Sequence, residues 1–175
     1  EPDGPPMRPG PTTGDAGTGV QMALAISAAY AQKLKTGKGQ FIELSMQEAM
    51  TYYLRTATSK TSFGEKSTPR TGNGELATMT LYPCKGGGPN DYVYIMAITP
   101  RMWEALCGAI DRQDLIDDPR FNDRESRFEN SEALKMEIVS WTAERDKYEA
   151  MRELAESGVP ASAVLNTRDL YDNPH

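Results

Sequence analysis

The chain has 175 residues, of which 38% are hydrophobic, and 25 acidic residues outnumber 19 basic ones to give a net charge of −6. This length and apolar fraction suit one domain or parts of two, and the acidic balance argues against nucleic acid as a partner. The single histidine, His175, and the two cysteines, Cys84 and Cys107, match no CxxC or zinc-ligand spacing, which predicts buried reduced thiols and no metal site within the chain.

The first motif is TGDAGTG at residues 13–19, which follows a proline-rich and therefore irregular opening segment, residues 1–11. Its glycines leave space for a ligand, and Asp15 stands where a helix is predicted to begin. One interpretation is that Asp15 only caps this helix. The other is a nucleophilic or proton-transferring carboxylate at a helix N-terminus, where the helix dipole favours negative charge. The glycine spacing reverses the dinucleotide-binding motif and lacks the lysine of a phosphate loop.

A buried helix is predicted after this motif, because apolar side chains at residues 20–35 cover most of a helix surface, as in a helix packed on a sheet. Polar residues interrupt this run and no signal peptide opens the sequence, so we expect no membrane span and a soluble, cytoplasmic protein. A strand at residues 41–46 and a helix at residues 47–58 follow, which indicates α/β layers. The partners of this single strand would come from a larger domain or from another chain.

Residues 59–75 are rich in Ser, Thr, Lys, Gly and Pro, which is typical either of a flexible linker or of a mobile active-site loop. Beyond this connector we predict two strands around a glycine-rich turn, then three amphipathic helices, the first beginning at Thr99, and a final strand. The predicted strands cover residues 76–82, 91–98 and 159–165. Together these elements indicate a small α+β module.

Several motifs of the sequence occur in the order and approximate spacing found in class III CoA-transferases, the family of formyl-CoA transferase and carnitine CoA-transferase. The central match is the segment around Asp15 with the alanine-rich helix after it. The other matches are KTGKGQ at 35–40, SMQEA at 45–49, RTGN at 70–73, YPCKG at 82–86, the segment 92–103, DDPRF at 117–121 and GVPA at 158–161. Because these matches fall in register over nearly the whole chain, the sequence is identified as a member of this family.

The resemblance implies an α/β fold of the class III CoA-transferase type. Residues 1–58 then correspond to the C-terminal part of a Rossmann-like large domain with the nucleophile turn. Residues 59–75 correspond to the linker and glycine loop, and residues 76–175 to the small α+β domain. Family chains are longer and form interlaced homodimers, so this chain resembles a central fragment. Much of the CoA site and the C-terminal return segment would lie outside it.

By the same resemblance, Asp15 is the catalytic aspartate. Its carboxylate attacks an acyl-CoA thioester to form a mixed anhydride, CoA thiolate then takes the aspartyl group, and an acceptor carboxylate exchanges in to become the new acyl-CoA. The family's glycine loop falls at Gly72, Asn73 and Gly74, which are the predicted substrate-binding residues. The expected partners are an acyl-CoA and a small carboxylic acid, with coenzyme A thioester as substrate and no permanently bound cofactor.

Two alternatives stand beside CoA transfer. The same superfamily contains α-methylacyl-CoA racemases, in which an aspartate takes part in proton transfer at the α-carbon. Racemases tend to have Glu-Pro where this chain has Thr99 and Pro100, and the missing glutamate favours transfer over racemisation. The other alternative is a catalytically silent fragment that keeps the fold.

Overall fold

The computed structural model describes residues 3–60, 65–74 and 76–174 and divides the chain into two compact units, Glu1–Arg70 and Thr71–His175. Parts of the predicted connector at residues 59–75, namely residues 61–64 and Glu75, lie outside the described residues. Each unit has its own set of helices and its own internal contacts.

The first unit contains the helices α1 (Thr13–Thr36), α2 (Met46–Tyr53) and α3 (Arg55–Lys60). Helix α1 is long because its sequence is rich in alanine and has no interior proline. It ends at Gly37, whose left-handed backbone (φ 72°) lets its amide donate to the Lys33 carbonyl at 2.8 Å. Ser45 caps α2, since its hydroxyl oxygen accepts from the Glu48 amide at 3.4 Å.

Three predictions for the first unit are wrong. Residues 41–45 form no strand, because a strand exists only by pairing and this unit has no strand among its described residues. The helix predicted at residues 47–58 is two helices, α2 and α3, which are interrupted at Leu54. Helix α1 begins at Thr13, close to the predicted start at Asp15, but the glycines at 14–19 that were predicted to form a turn are themselves helical.

The predicted burial of the long helix is also wrong for this chain. Helix α1 contains no buried residue, and Ala49 of α2 is the one buried hydrophobic side chain in the described part of the first unit. Large apolar side chains of α1 are instead exposed: Val20, Leu24, Ile26, Tyr30 and Leu34. The helix is apolar as predicted, but the described residues of the first unit contain no sheet against which it could pack.

The second unit is built on a three-stranded antiparallel sheet in the order β1 (Met79–Pro83), β2 (Tyr92–Met96) and β3 (Ala161–Ala163). All three predicted strands are confirmed, each shorter than predicted, and β1 ends one residue later than predicted, at Pro83. Alternate residues of β1 and β2 face the core, as expected for strands buried on one side.

Six helices surround this sheet in the described residues: α4 (Pro100–Ala109), α5 (Asp114–Asp117), α6 (Arg124–Glu129), α7 (Ser131–Thr142), α8 (Lys147–Glu156) and α9 (Thr167–Asp172). The predicted start of α4 is confirmed, since Thr99 caps it and Pro100 is its first residue. Helices α5, α6 and α9 were not predicted. None of the helices in the described ranges is long and apolar enough to cross a membrane.

The core of the second unit lies between the sheet and the helices. Its fully buried side chains include Tyr82, Val93, Ile95, Leu106, Leu115, Phe121, Leu134, Ile138 and Leu154. Cys84 and Cys107 are buried free thiols, as predicted. Lys147 is also buried, and its ammonium donates to the Val164 carbonyl and to the Asp169 carboxylate, each at 2.8 Å. This ion pair fixes the start of α9 to α8.

Candidate active site

Asp15 is the third residue of α1, and Thr12 occupies the N-cap position without a side-chain capping hydrogen bond. The interpretation of Asp15 as the N-cap is therefore wrong. The amides of the first helical turn have no intrahelical acceptor, and the helix dipole makes this end positive. Both effects favour an anionic ligand beside the turn that contains Asp15.

The Asp15 side chain is exposed. Among the described residues, none forms a hydrogen bond or an ion pair with its carboxylate. The carboxylate is therefore open to solvent and can reach a ligand. Its position is set by the backbone of α1 alone.

Gly17 lies one helical position beyond Ala16 and faces α2. A β-carbon built on Gly17 would lie 3.0 Å from the Tyr53 hydroxyl oxygen and 3.2 Å from the Met50 methyl carbon. A larger side chain at this position would require the Tyr53 and Met50 side chains to shift by a few tenths of an ångström. Gln21 strengthens the same contact, because its amide donates to the Ala49 carbonyl at 3.3 Å.

A cavity of about 750 Å³ lies where α1 begins beside the end of α2. Thr13, Ala16 and Gly17 of the first helical turns line it, whereas Asp15 itself does not. Its full lining is Pro11, Thr12, Thr13, Ala16, Gly17, Met50, Tyr53 and Leu54. The size is in the range of small-molecule sites.

The 3.6-residue period of a helix over residues 47–58 puts Met50, Tyr53 and Leu54 on one face. The structure shows that these side chains form one wall of the cavity. Their spacing on α2 was visible in the sequence. Their position opposite Gly17 was not, because it depends on how α1 and α2 pack.

Gly72, Asn73 and Gly74 lie in the second unit, in a tight turn in which the Gly74 amide donates to the Thr71 carbonyl at 3.0 Å. Gly74 has a φ of 120°, and a β-carbon there would lie 2.4 Å from the Met79 carbonyl oxygen. The Thr80 hydroxyl donates to the Asn73 carbonyl at 3.2 Å. The turn is thus held against the first residues of β1.

The two thiols of the chain are poor candidates for a nucleophile. Burial raises the pKa of the Cys84 thiol to about 11 and that of the Cys107 thiol to about 12. A thiol attacks as its thiolate, which is scarce at neutral pH when the pKa is raised in this way. Within the described ranges, no group of three or more His, Cys, Asp or Glu side chains is placed to hold a metal ion.

The sequence comparison decides the family, since residues 1–175 match the family model described as CoA-transferase family III. The chain belongs to CoA-transferase family III. This confirms the resemblance found from the motifs.

Curated relatives in this family are named CoA-transferases. The chain is 38% identical to succinyl-CoA:mesaconate CoA-transferase from Haloarcula hispanica over 99% of its own length and 42% of that protein. It is 30% identical to formyl-CoA:oxalate CoA-transferase from Streptomyces avermitilis over 98% of its own length and 45% of that protein. The chain thus spans less than half the length of these relatives.

Solved structures agree with the assignment to CoA-transferase family III. A CAIB/BAIF family protein from Brucella suis superposes with a TM-score of 0.72 at 27% identity, over 99% of this chain and 46% of that one. The protein Rv3272 from Mycobacterium tuberculosis superposes with a TM-score of 0.78 at 21% identity, over 99% and 44%, which shows the shared fold. The predicted mixed α/β class is therefore confirmed.

Proposed function

We propose that the protein containing this chain transfers CoA between an acyl-CoA thioester and a free carboxylic acid, with Asp15 as the covalent nucleophile. The observation that supports this most directly is the state of Asp15: an exposed carboxylate without a partner among the described residues, on the first turn of a helix of which Thr13 and Ala16 line a cavity of ligand size. The membership of the chain in CoA-transferase family III, with its curated relatives, supports the reaction class.

In the proposed reaction, a carboxylate oxygen of Asp15 attacks the thioester carbonyl carbon, the carbon–sulfur bond breaks, and CoA leaves as the thiolate. The thiolate then attacks the aspartyl carbonyl of the mixed anhydride, which releases the donor's free acid and leaves an aspartyl-CoA thioester. The acceptor carboxylate reverses both steps and departs as the new acyl-CoA. Asp15 is regenerated, so no oxidant, metal or proton source is consumed.

We propose Gly72, Asn73 and Gly74 as the substrate-covering turn of the same site. Gly72 and Gly74 have positive φ values, 54° and 120°, which allow a tight turn. Because glycine has no side chain, the backbone of this turn is uncovered. A turn without bulk can approach a thioester closely and exclude water from the anhydride.

The proposed organisation follows the family. Residues 1–58 belong to a Rossmann-like large domain, residues 59–75 to the linker and glycine loop, and residues 76–175 to the small domain, in an interlaced homodimer. The exposed apolar side chains of α1 support this proposal, because Val20, Leu24 and Leu34 are each about 70% exposed here and need a covering surface.

For substrates we propose succinyl-CoA as donor and an unsaturated dicarboxylate such as mesaconate as acceptor. The support is the higher identity to the mesaconate enzyme, 38% against 30% for the formyl-CoA:oxalate enzyme. Both relatives have a dicarboxylate in their names, mesaconate in one and oxalate in the other. A dicarboxylate substrate is therefore common to both.

The test uses the full-length protein, incubated with single acyl-CoA donors, trapped with hydroxylamine and analysed by peptide mass spectrometry. We expect a hydroxamate on Asp15 and a loss of transfer in Asp15→Asn on the order of 10³-fold or more. Glu43→Gln is the matched control, since Glu43 is an exposed carboxylate of the same unit. Deuterium exchange at the α-carbon of a 2-methylacyl-CoA, with no adduct from any donor, would contradict transfer and favour racemisation.

A further inference from the structure

A pocket of about 440 Å³ lies within the second unit, and Asn73 of the glycine turn forms part of its wall. Its chemistry differs from that of the cavity beside α1, because it combines apolar surface with polar groups and a positive charge. Its described lining is Asn73, Thr80, Leu81, Pro89, Tyr92, Lys135 and Val164. Among these residues, Lys135 is the only one that is charged at neutral pH. This lining therefore favours an anion.

The frame of the pocket is held by hydrogen bonds of the backbone. Leu81 belongs to β1 and Tyr92 to β2, and these strands pair in one sheet. The Val164 amide donates to the Tyr92 carbonyl at 2.9 Å. The Thr80 hydroxyl donates to the Asn73 carbonyl at 3.2 Å, which holds the glycine turn at the rim. A pocket framed in this way exists before a ligand arrives, so less order has to be created on binding.

Lys135 lies on α7, and its side chain is 27% exposed. Its ammonium forms an ion pair with the Glu132 carboxylate at 2.7 Å. The Glu132 side chain is 88% exposed, so this ion pair adds little to stability and is easily exchanged. An ammonium has three N–H donors, and within the described residues Glu132 accepts from one of them. Two donors therefore remain for a ligand.

The two kinds of surface match the two parts of a short organic acid. Leu81, Pro89 and Val164 provide carbon surface for a chain of a few carbon atoms, and Lys135 provides the cation for its carboxylate. The Tyr92 hydroxyl and the Asn73 amide add neutral hydrogen-bonding groups to the same lining. A phosphate is best bound by the planar fork of arginine, and no arginine is among the described lining residues.

We propose that this pocket is a carboxylate-binding site of the second unit, in which Lys135 binds the carboxylate. The ligand class is a small aliphatic carboxylic acid. To name this ligand as the free acid of CoA transfer rests on the proposed function, in which the turn with Asn73 covers the substrate. The binding of a carboxylate at Lys135 does not depend on it.

The experiment measures the binding of succinate to the full-length protein by isothermal titration calorimetry, without CoA, so that no transfer takes place. Lys135→Gln should weaken this binding about tenfold, the size of a hydrogen bond to a charged group. Lys135→Arg keeps the charge and should weaken it less. Lys85→Gln is the matched control, because Lys85 is an exposed lysine of the same unit outside the pocket, and it should leave binding unchanged.

Glu132→Gln should have the opposite effect. It removes the carboxylate that competes for the Lys135 ammonium, so succinate should bind about twofold more tightly. A lysine that only stabilised α7 would produce no such gain. If Lys135→Gln does not fold, as judged by circular dichroism, the result for Glu132→Gln decides, and the absence of a gain overturns the site.

Succinate binding that is unchanged in Lys135→Gln, or absent from the wild-type protein, overturns this inference and leaves the proposed function to the hydroxamate test at Asp15. Inorganic phosphate that binds more tightly than succinate and is lost in Lys135→Gln also overturns it, because the site would then recognise a phosphate. Loss of succinate binding in Lys135→Gln, without a hydroxamate on Asp15, supports the site and contradicts the proposed function.

Discussion

The two units differ in how their apolar side chains are covered. In the second unit, sheet and helices enclose a continuous core, and side chains such as Phe121 and Leu134 are fully buried. In the first unit, α1 buries no residue, although its sequence is as apolar as a core helix. The same hydrophobic pattern therefore has two different outcomes within one chain.

The two units are therefore stabilised in different ways. The second unit is stabilised by burial, at about 25 cal/mol per Å² of apolar surface removed from water. The described helices of the first unit depend on helix propensity, capping by Ser45 and Gly37, and the contact of Gly17 with Tyr53. The first unit, which contains Asp15, therefore depends on contacts with another surface for its stability.

The largest expected effect comes from truncating a leucine in each unit of the 175-residue chain. Leu134→Ala should lower the free energy of unfolding by about 2–5 kcal/mol, because Leu134 is 0% exposed and its removal leaves a cavity. Leu24→Ala should change it by less than about 0.5 kcal/mol, since Leu24 is 71% exposed. Urea unfolding followed by tryptophan fluorescence and circular dichroism measures both.

If Leu24→Ala greatly lowered the free energy of unfolding of this chain, the contrast between the two units would be wrong, because another surface would have to cover α1 in solution. Dependence of this decrease on protein concentration would identify that surface as a second copy. In the full-length protein, by contrast, Leu24→Ala can be compared with Leu134→Ala directly. Similar decreases in the free energy of unfolding would show that the rest of the protein covers α1.

Glycine substitutions should have opposite signs in the two units. Gly74→Ala should destabilise by about 1–3 kcal/mol, because its φ of 120° is strained for alanine and the β-carbon would clash with the Met79 carbonyl. Gly19→Ala should stabilise α1 by about 0.5–1 kcal/mol, since Gly19 is helical and has open space around it. Thermal unfolding by circular dichroism measures both, and a stabilised Gly74→Ala would refute the turn geometry.

The smallest expected effect is on the dependence of stability on pH at acid pH. The Lys147 ammonium lowers the pKa of the Asp169 carboxyl below its ordinary value, and the pKa of Lys147 is raised by the same hydrogen bond. Between the folded and unfolded pKa values of Asp169, only the unfolded state binds the proton, so stability falls as pH drops below about 4. The lysine contribution is lost only as pH rises through its raised pKa.

Asp169→Asn should therefore reduce the slope of stability against pH on the acid side, measured by urea unfolding at a series of pH values. Asp172→Asn is the control, because its ion pair with Arg168 is exposed at both ends and should contribute little. An unchanged slope in Asp169→Asn would mean that the ion pair does not hold α9 in solution. Asp114, Asp118, Asp123 and Asp146, whose pKa values are also lowered, contribute to the remaining slope.

Local signals in the sequence predicted much of the second unit. The Thr99–Pro100 start of α4 was found because capping and proline preference depend on adjacent residues. The strands were found because turn residues separate them. Short helices such as α5 and α6 were missed, since a helix of four to six residues contains too little of the 3.6-residue period to recognise.

The candidate site was only partly predictable. The motif predicts Asp15 as the nucleophile, which stays a prediction, and it predicts a glycine turn, whereas Gly14, Gly17 and Gly19 are all helical. Glycine allows both conformations, and the choice depends on the apolar helix that follows. The Tyr53 wall opposite Gly17 could not be predicted, because contacts between α1 and α2 depend on their packing.

The length of α1 has a mechanical consequence. Its 24 residues make a rod of about 36 Å, with Asp15 near one end and the Gly37 cap at the other. A pivot of about 5° at the capped end would displace the Asp15 turn by about 3 Å, while reacting groups need placement within about 0.5 Å. In the proposed reaction, side chains that anchor the far end of this helix would therefore affect the position of the Asp15 carboxylate without contacting a substrate.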